Sequence, residues 1–262
     1  MVGDSRLGSL CKRDEEIKRL KAEIRESVWR ALEEAGVTAP PRPVRGRIPN
    51  FIGAERAALA LLSTPEWQRA ETVKVNPDSP QKHVRRATLL EGKTLVVPTP
   101  RLREGFILLE PSRLTRREID RAATIAGSFK YGRRISLGEL RSLGRVDLIV
   151  EGSVAVNKRG ERLGKGEGYG ELEFAVLREL ELVDDSTPIA TTVHEMQLLE
   201  IELPQDPWDV PVDIIATNSR LLRCDRAAIR PLGVLWECVD DEMRARIPIL
   251  AELERISPRR AR

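Results

Sequence analysis

Short apolar segments alternate with amphipathic segments from residue 72 onward, and this alternation is the feature that most constrains the fold of the chain. The apolar segments have the length of buried strands and fall at residues 72–75, 94–97, 106–109, 148–150, 189–193 and 214–217. Segments with a helical spacing of apolar residues lie between or after them, at 81–90, 116–125, 137–143, 169–180 and 248–255. The sequence therefore predicts an α/β fold of three layers, αβα, around a mainly parallel sheet.

Two further helices are predicted before the first strand. Apolar residues recur at three- and four-residue spacing over residues 14–35, and Gly36 ends this helix. A second helix covers about 53–62, after a proline-rich connector at 38–49 that cannot be helical. The expected organisation is one domain between two short tails: a flexible tail at 1–13, a single α/β domain at 14–256 and a flexible tail at 257–262.

Composition argues against a membrane protein. No apolar run approaches the roughly 20 residues that a membrane-spanning helix needs, and the first residues lack the apolar core of a secretion signal. The three cysteines have neither disulfide-like nor metal-like spacing, which is typical of a reducing compartment. With two histidines, the chain cannot build a histidine-rich metal site. We expect a cytoplasmic protein with no membrane partner.

The distribution of charge leaves two interpretations open. The net charge of +3 is too small to predict a nucleic-acid partner by itself. Residues 113–134, however, hold seven basic side chains against two acidic ones. This stretch is either a solvated helix face or a surface that recognises a polyanion.

The amide content of the chain is low for its length. It holds four Asn and four Gln, whereas Lys, Arg, Asp and Glu make up 32% of the residues. Few thermolabile amides and many charges are typical of proteins from hot environments. We therefore expect a thermostable protein.

Residues 147–180 follow the order strand, turn, glycine loop, helix. Three glycines, Gly164, Gly166 and Gly168, stand at alternate positions directly before the helix. Such a loop lets the backbone approach an anion closely, and the helix start adds unpaired N–H groups and a positive dipole end. Lys165 and Arg162 add full charges. Alternate glycines also form plain turns, and the spacing fits neither a Walker loop nor a Rossmann fingerprint, so the loop alone leaves phosphate binding open.

The same stretch resembles the signature of the 5-formyltetrahydrofolate cyclo-ligase family, also called methenyltetrahydrofolate synthetases. The family pattern ends in Gly-x-Arg-Leu-Gly-(Lys/Arg)-Gly-x-Gly-Tyr-Tyr-Asp, and residues 147–171 align with the signature without gaps. Segments 47–54, 76–81 and 100–102 resemble a longer branch of the family, whose members are described as containing a methenyltetrahydrofolate-synthetase domain. With that branch included, the resemblance extends over residues 16–252.

The resemblance implies ATP and Mg²⁺ as cofactors and a fold of the sugar-isomerase and coenzyme-A-transferase class. It assigns catalytic charge neutralisation to Lys165 and Arg162, and it assigns Mg²⁺ to Glu171 and Asp209. Lys21 and Arg25 have the four-residue spacing of the family's ATP-contacting pair, which places both on one helix face. The implied nucleotide-binding residues are Lys21, Arg25, Arg162, Leu163, Gly164, Lys165, Gly166, Glu167, Gly168, Tyr169 and Gly170.

Three residues are candidates for contact with a reduced folate or pterin. Tyr169 belongs to the family signature. Glu55 lies near the position of a substrate-contacting carboxylate of the family, and a plain surface glutamate is the alternative interpretation. His194 follows the strand at 189–193, and ligands of open α/β sheets bind at the carboxyl ends of strands.

Two departures from the signature keep more than one function open. Gly170 stands where the family has its second tyrosine, and Glu171 stands where it has aspartate. The leading hypothesis is closure of 5-formyltetrahydrofolate, or of a related pterin, to the 5,10-methenyl form. The alternatives are a non-catalytic nucleotide- or pterin-binding protein and an RNA-associated module, although no RNP-like aromatic motif occurs in the sequence. The oligomeric state, monomer or dimer, is left open.

Overall fold

The apolar segments form the inner strands of an eight-stranded sheet in the computed structural model, which describes residues 15–225, 229–239 and 241–257. The strands, in chain order, are β1 Thr72–Val75, β2 Thr94–Pro98, β3 Phe106–Leu109, β4 Arg133–Ile135, β5 Leu148–Glu151, β6 Ala155–Asn157, β7 Arg162–Leu163, β8 Ile189–Val193, β9 Leu198–Leu199, β10 Ile214–Thr217 and β11 Leu221–Arg223. The large sheet has the order β11-β10-β8-β5-β1-β2-β3-β4.

The sheet is parallel in its centre and antiparallel at its edges. Strands β10, β8, β5, β1 and β2 pair in parallel, whereas β3, β4 and β11 join in antiparallel fashion. Central parallel strands are buried on both faces and carry continuous apolar runs. The edge strand β4 instead carries the exposed Arg133 and Arg134, so its sequence gave no apolar signal. The predicted α/β fold with a mainly parallel sheet is confirmed.

Helices cover both faces of this sheet. They are α1 Glu15–Glu34, α2 Ala54–Leu62, α3 Pro65–Arg69, α4 Lys82–Leu90, α5 Arg116–Ala122, α6 Ile125–Tyr131, α7 Leu137–Arg141, α8 Tyr169–Glu179, α9 Asp241–Arg246 and α10 Ile249–Ile256. Successive residues of one strand belong to different apolar clusters: Leu148 and Val150 pack on one face, and Ile149 packs on the other. The three-layer arrangement follows from this two-sided burial.

The predicted helix at 116–125 is two helices in the structure. Helix α5 ends at Ala122, and Thr124 begins α6 by accepting a hydrogen bond from the backbone N–H of Gly127. A Cβ at Gly127 would lie 1.7 Å from the carbonyl oxygen of Arg121, so the glycine permits the tight junction. The apolar periodicity did not reveal this break, because a threonine cap inside an amphipathic pattern looks like a helical residue.

A second, smaller sheet was not predicted as such. Among the described residues it has the order β7-β6-β9, and it packs beside α1 through an apolar cluster that includes Trp29 and Leu163. Arg162 was expected in a loop but lies in β7, where it is 2% exposed. A two-residue strand is too short to give a periodic pattern.

The C-terminal end of the described chain differs from expectation. Residues 1–13 and Cys11 lie outside the described part of the chain, as do residues 258–262. Ser257, predicted to belong to a flexible tail, is buried and donates its hydroxyl to Glu179. Cys224 is free. Across the residues described, no helix has both the length and the apolar character to cross a membrane.

Candidate active site

A cavity of about 850 Å³ lies where the parallel strands end. Asn76, directly after β1, and Gly152, directly after β5, both line it. The carboxyl ends of parallel strands are the usual place for ligands in open α/β sheets. The cavity also gathers thirteen of the predicted site residues: Lys21, Arg25, Arg162, Leu163, Gly164, Lys165, Gly166, Glu167, Gly168, Tyr169, Gly170, Glu171 and Asp209.

The glycine loop has a backbone shape that requires glycine at two positions. Gly166 has a φ of 100°, and Gly168, which begins α8, has a φ of 77°. Side chains are disfavoured in this left-handed region. Arg25 lies on the loop: its Nε donates to the carbonyl oxygen of Gly164 at 2.7 Å. Helix α1 therefore contacts the loop directly through Arg25.

Lys165 is the more exposed of the two predicted catalytic cations. Its side chain is 35% exposed, and its Nζ lies 2.8 Å from Glu167 Oε2. Glu167 also receives Arg101 Nη2 at 3.3 Å. Ion pairs at the surface contribute little free energy, so Lys165 can exchange Glu167 for a ligand phosphate at low cost.

The guanidinium of Arg162 contacts three other residues of the protein. Its Nη1 donates to the Gly152 carbonyl at 2.8 Å, its Nε donates to the Val210 carbonyl at 3.2 Å, and its Nη2 pairs with Glu171. Burial opposes the charge of this guanidinium, but the nearby Glu171 and Glu151 carboxylates outweigh burial and raise the pKa of Arg162. Arg162 thus fixes the position of Glu171.

Lys21 has a comparable role toward Asp209. It is 5% exposed, and its Nζ contacts both Asp209 Oδ2 and, at 2.7 Å, Asp206 Oδ2. Asp206 was not recognised in the sequence, because its partner is 185 positions away. Burial raises the pKa of Asp209 despite the attraction of Lys21, and the negative charge of Glu171 adds to the rise.

Glu171 and Asp209 face the same cavity and influence each other electrostatically. Burial opposes the charged form of Glu171, but Arg162 prevails and lowers the pKa of this carboxyl. Within the described ranges no group of three or more metal-ligating side chains occurs. Mg²⁺ in nucleotide sites takes one or two carboxylates and completes its shell with phosphate oxygens and water. The pair Glu171 and Asp209 fits that requirement.

A buried ion cluster, formed by Lys74, Glu151 and Glu173, was missed in the sequence. Lys74 Nζ lies 2.7 Å from Glu151 Oε1 and 2.6 Å from Glu173 Oε2, and it donates to Asn76 Oδ1 at 2.8 Å. Lys74 and Glu151 are fully buried, and Glu173 is 4% exposed at the cavity wall. A lysine inside the short apolar strand β1 was the available signal, since buried charges are rare unless paired.

Two carboxyl groups of the cavity wall have pKa values above the ordinary range of carboxyl groups. Burial, together with the negative charges of Glu151 and Asp78, raises the pKa of Glu173 to about 7 against the opposing attraction of Lys74. Burial also raises the pKa of Asp78, which Lys165 and Arg85 oppose. Strongly shifted carboxyl groups in a cavity are typical of functional sites.

Glu55 and His194 do not reach the cavity as the structure describes it. Glu55 is exposed on α2, where its charge acts on His83. His194 packs edge-on against Phe51 with ring centroids 5.8 Å apart, and its Nδ1 accepts the backbone N–H of Met196 at 3.2 Å. Their placement gives no support to a substrate-contacting role. His194 follows β8 as predicted, but its side chain caps the 3-10 turn Glu195–Gln197.

Comparison with known proteins places this geometry in context. Two solved structures align with the fold. The 5,10-methenyltetrahydrofolate synthetase from Aquifex aeolicus is 22% identical, with a TM-score of 0.48, and the alignment covers 80% of this chain and 95% of that one. The 5,10-methenyltetrahydrofolate synthetase from Mycoplasma pneumoniae is 15% identical, with a TM-score of 0.42, and the alignment covers 77% of this chain and 98% of that one.

Relatives in sequence are closer. Methenyltetrahydrofolate synthase domain-containing proteins from Bos taurus and Homo sapiens are 40% identical to the chain and cover 89% of it. The one from Danio rerio is 36% identical over the same share. The chain spans about three fifths of the length of these curated relatives, 61% in each case.

The family itself is matched over most of the chain. Residues 17–218 fit the 5-formyltetrahydrofolate cyclo-ligase family, and this range holds all of α1 but its first two residues, the glycine loop and Asp209. The resemblance predicted from the glycine-loop signature is confirmed. The chain belongs to the 5-formyltetrahydrofolate cyclo-ligase family.

Proposed function

We propose that this chain is an ATP- and Mg²⁺-dependent cyclo-ligase that converts 5-formyltetrahydrofolate, or a related reduced formyl-pterin, to the 5,10-methenyl form. The observation that supports this most is the convergence of α1, the glycine loop, the start of α8 and Asp209 on one cavity. Helix α1, the loop with the helix start that follows it, and Asp209 lie far apart in the sequence, and the family resemblance assigns them to ATP and Mg²⁺. The volume of about 850 Å³ falls in the range of small-molecule sites.

The chemistry requires activation of a formyl group. The formyl oxygen attacks the γ-phosphorus of ATP, the bond to the β-phosphate oxygen breaks, and ADP leaves. N10 then attacks the formyl carbon, the C–O bond breaks to release phosphate, and the N10 proton passes to solvent as the ring closes. Little covalent work falls on the protein, so catalysis consists of positioning and of neutralising phosphate charge.

The residues of the cavity divide these tasks. Backbone N–H groups of the glycine loop and the Lys165 ammonium would bind the phosphates, with Arg25 beside Gly166. Glu171 and Asp209 would hold Mg²⁺, which when bound neutralises charge on the phosphate oxygens. Arg162 keeps Glu171 in place, and Lys21 keeps Asp209 in place. We place this protein in the cytoplasm, where such substrates occur.

A non-catalytic binder is the second candidate, and Gly170 favours it. The family's second tyrosine ring is absent there, and the space beside Gly170 is bordered by Glu151 Oε2 and Arg162 Nη2. A nucleotide site can persist without this ring, because the phosphate contacts lie elsewhere in the loop. Turnover is therefore what separates the two candidates.

An absorbance assay for the methenyl product, with and without ATP and Mg²⁺, tests the proposal. We expect product only when both are present. Glu171→Gln and Asp209→Asn should each lower turnover far more than ATP affinity, because the loop still binds phosphate. Glu200→Gln, at an exposed glutamate paired with Lys158, is the matched control. Protein that binds ATP yet forms no methenyl product from any reduced formyl-pterin would establish the binder instead.

A further inference from the structure

The buried ion cluster reaches the cavity through one residue. Glu173 lines the cavity, whereas Lys74 on β1 and Glu151 on β5 stand behind it. Lys74 binds Glu173 Oε2 at 2.6 Å, so Oε1 is the oxygen that remains for a ligand. Phosphate chemistry uses none of these three residues, since two carboxylates repel an anion.

Two more carboxyl groups, those of Glu151 and Asp78, lie close enough to act electrostatically on Glu173. Glu151 Oε2 is fully buried and has no hydrogen-bond partner among the residues described. It points toward Gly170, where a Cβ would lie 3.2 Å from it. Asp78 Oδ2 lies 3.0 Å from the place of a Cβ on Gly152. Gly152, Gly170 and Asp78 all line the cavity, so this wall offers acceptors to whatever it faces.

An acceptor-rich wall selects its ligand by hydrogen-bond polarity. Ionised carboxylates accept hydrogen bonds and cannot donate them. A ligand edge that presents N–H groups satisfies these acceptors, whereas an edge without those groups leaves a buried acceptor unpaired and weakens binding. A 2-amino-4-oxopyrimidine edge presents an amino group next to a ring N–H. Reduced folates and guanine nucleotides carry this edge, and adenine does not.

We propose that Glu173, with Asp78 beside it, accepts the N–H donors of a 2-amino-4-oxopyrimidine edge and determines which heterocycle the cavity binds. This assignment rests on the proposed function, because a reduced folate is one of the two ligands with that edge. Lys74 acts as a positioning residue. It is a donor only and holds the Glu173 carboxylate by one oxygen, so that the other oxygen meets the ligand.

Glu173→Gln is the decisive variant, because Lys74 dictates how the amide must lie. Lys74 has no acceptor and takes the amide oxygen, so the amide NH₂ turns toward the ligand. A donor then faces the ligand's donors. General damage to the site would weaken related ligands equally, whereas loss of this contact changes the ratio of their affinities.

Calorimetry on the full chain compares two ligand pairs that differ by the 2-amino group. One pair is 5-formyltetrahydrofolate and its 2-desamino analogue, and the other is GTP and ITP. We expect the wild-type protein to prefer the amino member of at least one pair by roughly tenfold or more. A preference within the folate pair would identify the pterin as the ligand. A preference within the nucleotide pair would identify guanine. Glu173→Gln should abolish the preference, and Glu200→Gln should keep it.

A wild-type protein without preference in either pair, or Glu173→Gln with the wild-type ratio, would overturn the assignment. If Glu173→Gln does not fold, Asp78→Asn gives the same reading: a reduced ratio supports the acceptor wall, and an unchanged ratio overturns it. The assay for the methenyl product tests the proposed function independently of these affinity ratios. Absence of product with an intact affinity ratio would defeat the proposed function and leave the recognition of the heterocycle standing.

Discussion

Two groups of charges border the same cavity and differ in their exposure to water. The buried ion cluster of Lys74, Glu151 and Glu173 has side chains that are 5% exposed or less. The loop group of Arg101, Lys165 and Glu167 has side chains that are 35–54% exposed. Distances in the two groups are similar, between 2.6 and 3.3 Å. Geometry alone therefore does not distinguish them.

The difference in burial gives the two groups different uses. Removing one partner from a buried ion pair leaves a charge without water or counter-ion, so the arrangement is rigid. Exposed partners are solvated and screened, so they exchange for another ligand at little cost. The buried group is thus suited to hold a fixed shape in the wall of the cavity. The loop group is suited to release Lys165 to an incoming phosphate.

The largest expected effect is on stability, from Lys74→Met. The change leaves Glu151 and Glu173 buried without their cation, and we expect the free energy of unfolding to fall by about 3–5 kcal/mol. Urea denaturation measures it. Lys158→Met, at an exposed lysine paired with Glu200, should lose less than about 1 kcal/mol. Equal losses from the two variants would remove the distinction between the groups.

Gly170→Tyr should have an intermediate effect. A Cβ at this position already stands 3.2 Å from Glu151 Oε2 and 3.5 Å from Arg162 Nη2, so a tyrosine ring must displace one of them. Overpacking of this kind costs about 1–3 kcal/mol. Restoring the family pattern with Gly170→Tyr and Glu171→Asp therefore disturbs the buried ion cluster as well as the loop. Gly170→Ala is the control and should be close to neutral, because its helix propensity offsets the tight contact. A tyrosine variant as stable as the alanine variant would show that Glu151 and Arg162 can move aside at little cost in free energy.

Lys165→Ala should barely change stability and strongly change binding. We expect a loss of less than about 1 kcal/mol in unfolding free energy, because its ion pair is exposed. ATP affinity should fall by roughly tenfold or more, as expected for a charge-assisted contact to phosphate. Calorimetry of ATP binding checks this, with Lys158→Ala as the control. Unchanged affinity would exclude Lys165 from the phosphate site.

The smallest effect concerns salt. We expect a melting temperature above the roughly 45–65 °C of mesophilic domains, and a modest decrease when sodium chloride rises from low to high concentration. Added salt screens exposed pairs such as Lys165 with Glu167 and leaves the buried ion cluster nearly unaffected. Scanning calorimetry at several salt concentrations measures both. A midpoint inside the mesophilic range would contradict the prediction from composition.

Local chemistry explains which parts of the site could be predicted. The glycine loop was readable because Gly166 and Gly168 adopt left-handed backbone shapes that few other residues tolerate. Lys21 and Arg25 were identified by their resemblance to the family's ATP-contacting pair, and four-residue spacing on a helix places both on one face. Glu55 and His194 had no comparable local constraint, and the structure places both away from the cavity lining.

The sequence by itself determined the α/β fold, the inner strands and the family, because apolar periodicity and glycine spacing are local properties of the chain. Tertiary structure alone decided which charges are buried together. Lys74 and Glu151 are 77 positions apart, and Lys21 and Asp209 are 188 apart. No local pattern records such pairs. They form because parallel strands and a helix start meet at one edge of the sheet, where low dielectric makes each charge depend on its partner.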